Sequence, residues 1–166
     1  MSLRQLYLMR HAKSSWKFPL PDVDRPLNQR GQHDAPLMGE RLSKRQVRLD
    51  YLAASHALRA LRTAQTIAAA VAYPVDSIRI RPELYIEGPV GIIRLIQSLN
   101  DAHHHVMLLG HNPAITALAN CFAHTPIANV PTAGVVHLEV DLEHWADFTA
   151  DAVQLADFDY PKRMDD

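Results

Sequence analysis

The sequence predicts an α/β domain with three layers, in which helices cover both faces of a central, mostly parallel sheet. Short apolar runs of strand length alternate along the chain with longer segments of helical periodicity. Two of these runs, Leu6–Met9 and Val106–Leu109, are apolar at every position, as is typical of strands buried on both faces. A chain of 166 residues has the size of one domain, so we expect a single domain over residues 1–166.

The first predicted strand, Leu6–Met9, is followed at its carboxyl end by a cation and a titratable imidazole, Arg10 and His11. Ligands of open α/β sheets bind at that edge, so this pair is well placed for chemistry on an anion. A polar loop with three prolines comes next, over residues 13–31, and it contains Arg25. Loops after strands commonly hold functional groups, although proline-rich loops also serve as plain connectors.

Two helices and a strand are predicted between residues 34 and 71. Apolar residues recur at helical spacing over Asp34–Lys44, and this boundary puts Pro36 in the first turn, where proline is tolerated. The apolar run Tyr51–Ser55 is typical of a strand. The segment Ala57–Val71 is rich in alanine and lacks glycine and proline, which favours a helix with Ser55 near its N-terminal cap.

An arginine near the start of this second helix is a candidate anion ligand. Arg59 falls in the first turn, and Arg62, three residues later, is expected on the same face. Cations at the N-terminal end of a helix are repelled by its dipole. An anion bound between Arg59 and the backbone N–H groups would make the arrangement favourable.

The second half of the chain is predicted to contain three more strands and two more helices. The strands are Ser77–Arg81, which alternates polar and apolar residues and should be half-buried, Val106–Leu109 and Val135–Val140, and the helices are Pro89–Leu99 and Ala114–Phe122. The strand before residue 110 leads directly to His111. Cys121 is expected in the core, and the tail from Trp145 to Asp166 shows little pattern.

The composition argues against several classes of protein. A formal charge of −1 does not suit a nucleic-acid binder, which usually has a large basic excess. The single cysteine cannot form an internal disulfide, and there is neither a signal-peptide core nor a run of 18 apolar residues. We therefore expect a cytoplasmic protein without nucleic-acid or membrane partners. Its oligomeric state is left open.

Both unbroken strands end in a histidine, and a parallel sheet would bring these ends to one edge together with the start of the second helix. His11, His111, Arg10 and Arg59 would then form a cationic pocket suited to a phosphoryl group. A neutral imidazole can attack phosphorus and hold the phosphoryl group covalently, while arginines stabilise the equatorial oxygens.

Other phosphatase chemistries do not match the sequence. A cysteine phosphatase needs an arginine six residues after its cysteine, whereas no arginine follows Cys121 until Arg163. There is no Gly-x-x-x-x-Gly-Lys loop and no Asp and His set with two-metal spacing. Adjacent histidines at 103–105 face opposite ways in a strand and cannot converge on one ion. The sequence therefore predicts no metal site and no cofactor.

Five motifs carry a family resemblance. Leu8-Met9-Arg10-His11-Ala12 resembles the Arg-His-Gly signature of the histidine phosphatase superfamily, the phosphoglycerate-mutase-like proteins. The other four resemble its SixA-type phosphohistidine phosphatase branch: Asp24-Arg25-Pro26-Leu27-Asn28 with Arg30-Gly31, Ser55-His56-Ala57-Leu58-Arg59-Ala60 with Thr63-Ala64, Pro82-Glu83-Leu84-Tyr85, and Gly110-His111-Asn112-Pro113. They occur in the family's order and span about residues 3 to 140. The resemblance implies a phosphoglycerate-mutase-like fold.

The resemblance also implies roles for individual residues. The residues concerned are His11 as the nucleophile, Arg10, Arg59 and His111 as phosphate ligands, Arg25 at the mouth of the site, and Glu83 at the position where mutase-type members place their acid. Three positions depart from the family pattern. Ala12 replaces a glycine, His56 stands where proline is common, and Arg62 stands where Gln or Glu is common.

The expected activity is that of a metal-independent phosphatase that works through phosphohistidine on His11. The favoured substrate is phosphohistidine on a protein. The alternatives are a phosphatase of a small phosphorylated metabolite and a non-catalytic phosphate-sensing module, which the presence of both His11 and His111 argues against. The site is expected to be open, because the single helix predicted between residues 87 and 106 leaves no chain for a lid, and the loop 13–31 can form only one wall.

Overall fold

A mixed sheet of six strands forms the centre of the protein in the computed structural model, which describes residues 3–163. The strands are β1 (Leu3–Arg10), β2 (Tyr51–Ala54), β3 (Arg79–Ile80), β4 (His105–Gly110), β5 (Val135–Asp141) and β6 (Val153–Asp159). They lie in the order β3-β2-β4-β1-β5-β6. The first four strands in this order are parallel to one another. β5 runs antiparallel to β1, and β6, at the edge, runs antiparallel to β5.

Helices cover both faces of this sheet, which confirms the predicted α/β class. The helices are α1 (Gln29–Lys44), α2 (Leu58–Ala70), α3 (Glu83–Ile86), α4 (Pro89–Gln97) and α5 (Ala114–Asn120). Alternate residues of β1 enter different cores: Leu6 and Leu8 pack in the core with residues of α4 and α5, and Tyr7 and Met9 in the core with residues of α1 and α2. Within residues 3–163 no helix has the length and apolar character needed to cross a bilayer.

The pairing of the two central strands fixes the position of the site. β1 and β4 are parallel neighbours, with Met9 opposite Leu109 and Arg10 opposite Gly110. The residues that follow these strands therefore emerge at the same edge of the sheet. β2 pairs with the other side of β4 and ends at the same edge, one residue before Ser55.

The start of α1 differs from the prediction. Asn28 caps the helix by accepting a hydrogen bond from the N–H of Gly31, so α1 begins at Gln29 and Pro36 lies in its interior rather than in its first turn. The missing hydrogen bond is tolerable because Pro36 is exposed, so solvent can reach this side of the helix.

Two further predictions were wrong, and one strand was missed. The strand around residue 80 covers only Arg79–Ile80, which pair with β2. Both residues are exposed, because this strand lies at the edge of the sheet. Cys121 is exposed, since α5 ends at Asn120 and its apolar face is formed by residues before the cysteine. The tail contains a strand, β6, which pairs with β5.

Gly31 is the glycine whose replacement should disturb the fold most clearly. A β-carbon at this position would lie 2.1 Å from the carbonyl oxygen of Lys13, because α1 passes against the loop after β1. We expect Gly31→Ala to lower the free energy of unfolding by about 1–3 kcal/mol. Gly88→Ala is the matched control, with no atom within 4 Å of its added carbon. Urea unfolding measures both, and equal effects would contradict the steric explanation.

Candidate active site

His11 lies immediately after β1 and is buried, with 7% of its surface exposed. Its backbone N–H donates to the carbonyl of Gly110, and its own carbonyl accepts from the N–H of Ala133. Its ring nitrogen Nδ1 is 2.7 Å from the carbonyl oxygen of Ala12. A carbonyl can only accept, so Nδ1 carries the hydrogen and Nε2 keeps a free lone pair.

Two buried arginine atoms at the site have no hydrogen-bond partner. Arg59, in the first turn of α2, donates from Nη1 to the carbonyl of Asp22 at 2.7 Å, and its Nε has no partner. Arg10 donates from Nη1 to the carbonyl of Val130 at 3.0 Å, and its Nε also has no partner. Buried donors without partners are costly, and an anion in the pocket would satisfy them.

His111 lies beside His11, with 4.9 Å between the ring centroids. Its Nε2 is 2.6 Å from the hydroxyl of Ser55, and its Nδ1 is buried without a partner. If the serine hydroxyl donates to Nε2, the ring hydrogen lies on Nδ1 and adds a donor to the pocket. Ser55 is therefore a site residue, although the sequence analysis placed it only in a motif and near a helix cap, without a role in the pocket. Its oxygen also accepts from the N–H of Ala57, the residue that caps α2.

The surroundings keep both imidazoles neutral. Burial, together with the positive charges of Arg59 and Arg10, lowers the pKa of His11 to about 4. Burial and the neighbouring His11 and Arg59 lower the pKa of His111 to about 3. At neutral pH His11 therefore presents an uncharged nitrogen with a free lone pair to the pocket, as a nucleophile requires.

Thr63 connects the two halves of the pocket. Its hydroxyl accepts from the backbone N–H of Ala12 at 3.0 Å and donates to the carbonyl of Arg59 at 2.8 Å. The turn after His11 is thus tied to the first turn of α2. The sequence motif included Thr63, but nothing in its spacing indicated this link.

The rim of the pocket is formed by the loop after β1, which carries Arg25. The guanidinium of Arg25 is buried, donates to the Ser14 hydroxyl at 2.8 Å and stacks on the ring of Trp16 at 3.5 Å. Its Nε also pairs with Asp22 at 3.1 Å. Arg25 is close enough to contribute to the lowered pKa of His11.

Asp22 was missed by the sequence analysis. Its carboxylate pairs with Arg59 Nη2 at 2.9 Å and accepts a hydrogen bond from the hydroxyl of Tyr85 at 2.6 Å. The hydrogen bond from Tyr85, then those from Arg59 and Arg25, hold its pKa far below the usual range. The spacing Asp-x-x-Arg before Pro26 was the available signal.

The remaining candidate positions have other partners. Glu83 is bound by Arg81, whose Nη2 lies 2.6 Å from the carboxylate, and this hydrogen bond lowers the pKa of Glu83. Arg62 is exposed and donates to Gln65, so it does not share the buried face of Arg59 as expected. His56 is exposed and meets the ring of Tyr85 edge-on. Over residues 3–163 no group of three or more His, Cys, Asp or Glu side chains could hold a metal ion.

Comparison with known proteins places this geometry in a family. The model of the histidine phosphatase superfamily, branch 1, matches residues 6–84. The uncharacterized protein Rv1276c of Mycobacterium tuberculosis is 32% identical over 165 residues, which cover 93% of this chain and all of that protein. The protein of Agrobacterium tumefaciens designated phosphohistidine phosphatase SixA has a TM-score of 0.81 and 27% identity, with 95% of this chain and 98% of that chain covered. Its namesake from Nakamurella multipartitia has a TM-score of 0.80 and 25% identity, with 98% and 99% covered.

The lowered pKa of His11 predicts a pH dependence of stability. The folded protein binds a proton on this ring only near pH 4, whereas the unfolded chain does so near pH 6.5. The free energy of unfolding should therefore fall as the pH drops from about 6.5 to 4, with up to about 3 kcal/mol contributed by His11. His11→Gln should make this fall shallower in urea titrations at several pH values. The same slope in His11→Gln and in the exposed-site control His124→Gln would contradict the prediction.

Proposed function

Because this chain belongs to the histidine phosphatase superfamily, we propose that it is a metal-independent phosphatase in which His11 accepts the phosphoryl group. The observation that carries the proposal is the free Nε2 of a neutral, buried imidazole beside the unpaired buried nitrogens of Arg10, Arg59 and His111. These donors would bind the equatorial oxygens of the phosphoryl group and stabilise its charge throughout the transfer. The positive charge that a metal ion supplies in other phosphatases would come from the two guanidinium groups.

The reaction would proceed in two displacements. The lone pair of His11 Nε2 attacks phosphorus, and the bond to the leaving group breaks with its electron pair on the leaving group. Nδ1 keeps its hydrogen and continues to donate it to the Ala12 carbonyl, so the phosphorylated ring is cationic. Water then attacks phosphorus, gives its proton to solvent or phosphate, and releases His11 as a neutral imidazole.

The proposed substrate is phosphohistidine on a protein. Large apolar side chains are exposed on the rim loop and beside the pocket, with Trp16 76% and Ile86 72% exposed. In residues 3–163 the segment between α3 and β4 contains only α4, so it contributes no lid. A protein substrate would cover these side chains with its own surface, whereas a small metabolite would leave them in water. The similar structures designated SixA support the same substrate class.

The ionised state of Glu83 also favours phosphohistidine as the substrate. The hydrogen bond from Arg81 holds this carboxyl in its charged form, which cannot donate a proton to a leaving group. A sugar alkoxide needs such a proton, whereas a protonated imidazole leaves without one. The proposed reaction therefore does not need Glu83 as an acid.

The covalent intermediate provides the first test. We expect rapid quench with a 32P-labelled phosphohistidine peptide, in excess chelator, to trap an acid-labile adduct that maps to His11. His11→Ala should lose nearly all activity, because it removes the free Nε2 lone pair that attacks phosphorus in this mechanism. His137→Ala, which removes a histidine stacked on Tyr7, serves as the control. An acid-stable adduct, or activity that returns only with a divalent ion, would contradict the mechanism.

The substrate class is tested separately. Glu83→Gln should change kcat/KM for a phosphohistidine peptide by less than about tenfold, because no acid is needed for this leaving group. The wild-type enzyme should also prefer this peptide to phosphoserine peptides and small sugar phosphates. A severe loss in Glu83→Gln, or a higher kcat/KM for a sugar phosphate, would favour a metabolite as the substrate. Hydrolysis of none of them would favour a phosphate-sensing module.

A further inference from the structure

Asp22 bridges three groups around the mouth of the pocket. It lies in the short 3-10 turn Asp22–Asp24 of the rim loop, and its two oxygens contact Arg25, Arg59 and the Tyr85 hydroxyl. Its side chain is 44% exposed, whereas that of Arg59 is 6% exposed. The carboxylate therefore lies on the solvent side of the arginine, at the rim rather than at the floor.

The leaving group must emerge past this rim. His11 is buried at the floor of the pocket, and in-line displacement sends the leaving group away from the attacking Nε2. The way out is the solvent side, where Asp22 and Tyr85 lie. The ring of Tyr85 also contacts the ring of His111 edge-on at 5.2 Å, which ties this rim to the phosphoryl pocket.

The state of Asp22 limits what it can do there. Tyr85, Arg59 and Arg25 keep its carboxyl ionised, with a pKa far below the usual range. A carboxylate accepts hydrogen bonds and cannot act as the proton donor for the leaving group. The rim is therefore suited to a leaving group that already carries its own hydrogen.

We infer that Asp22 is a specificity-determining residue that accepts a hydrogen bond from the substrate imidazole, at the ring nitrogen that does not carry the phosphorus. The inference rests on the proposed function, since it requires phosphohistidine as the substrate. It adds a contact that discriminates between substrates, because a leaving group without an N–H cannot donate this hydrogen bond to the carboxylate.

The step balances without a proton from the enzyme. The substrate ring enters with a hydrogen on its distal nitrogen, held by Asp22. The bond from phosphorus to its other nitrogen breaks, the electron pair stays on that nitrogen, and a neutral imidazole leaves with its hydrogen in place. His11 forms the new bond through Nε2. The arrangement is symmetric, because the Ala12 carbonyl holds the distal hydrogen of His11 on the other side of phosphorus.

The test compares two substrates in Asp22→Asn. One is a phosphohistidine peptide, and the other is p-nitrophenyl phosphate, whose leaving group has no N–H to donate. We expect the ratio of kcat/KM, peptide over p-nitrophenyl phosphate, to fall about 10- to 100-fold, as loss of a hydrogen bond to a charged group typically does. Asp24→Asn removes the same charge from the same exposed turn and should leave the ratio unchanged.

A pH profile separates recognition from a structural role. In the wild type, kcat for the peptide should fall at high pH, where the bound substrate ring loses its distal hydrogen. In Asp22→Asn this limb should move to lower pH, because the carboxylate no longer favours the protonated ring. Inorganic phosphate inhibition reports whether the oxyanion pocket is intact.

Equal losses for both substrates, or an unmoved limb, would overturn the inference and leave Asp22 as a support for Arg59. These outcomes differ from failure of the proposed function. If the proposed function were wrong, the wild-type enzyme itself would not hydrolyse the peptide, whatever the result with Asp22→Asn.

Discussion

Parallel pairing between β1 and β4 is the constraint on which the pocket depends. The two strands are about a hundred residues apart in sequence, yet their register leaves His11 and His111 one step beyond the same edge. Hydrogen bonds then fix the ends of the strands, from the N–H of His11 to Gly110 and from that of Arg10 to Gly134. A slip of one residue would turn the alternating side chains of β1 to the opposite faces, so the packing of both cores keeps the two rings together.

The electrostatics of the pocket follow from this burial. Two guanidinium groups and two imidazoles share a small volume, and the imidazoles respond by staying neutral. The arginines cannot do so, because a guanidinium remains charged in proteins. Arg59 forms an ion pair with the carboxylate of Asp22, and Arg10 donates a hydrogen bond to a backbone carbonyl. The Nε of each arginine has no partner. The cations are thus in place before an anion arrives, so little reorganisation accompanies binding.

The sequence could predict the parts of the site that follow regular elements. His11 and His111 were found because each ends an apolar run, and a parallel sheet places such ends together. The contact between Asp22 and Tyr85 could not be found in this way, since it joins a proline-rich loop to a short helix and neither has a period. Pro36 was misplaced because the cap lies upstream of the first apolar residue of the helix. β6 was missed because its exposed positions weaken the apolar pattern of an edge strand.

The contacts of Ala12 bear on how this site can evolve. The residue holds the His11 ring through its carbonyl and the Thr63 hydroxyl through its N–H, so both functional contacts come from the main chain. A point mutation to any residue but proline keeps both groups, so a replacement acts through its side chain. Ala12 is fully buried, so few other side chains are small enough to fit at this position. A larger side chain at this position would therefore disturb the packing, although both main-chain hydrogen-bonding groups would still be present.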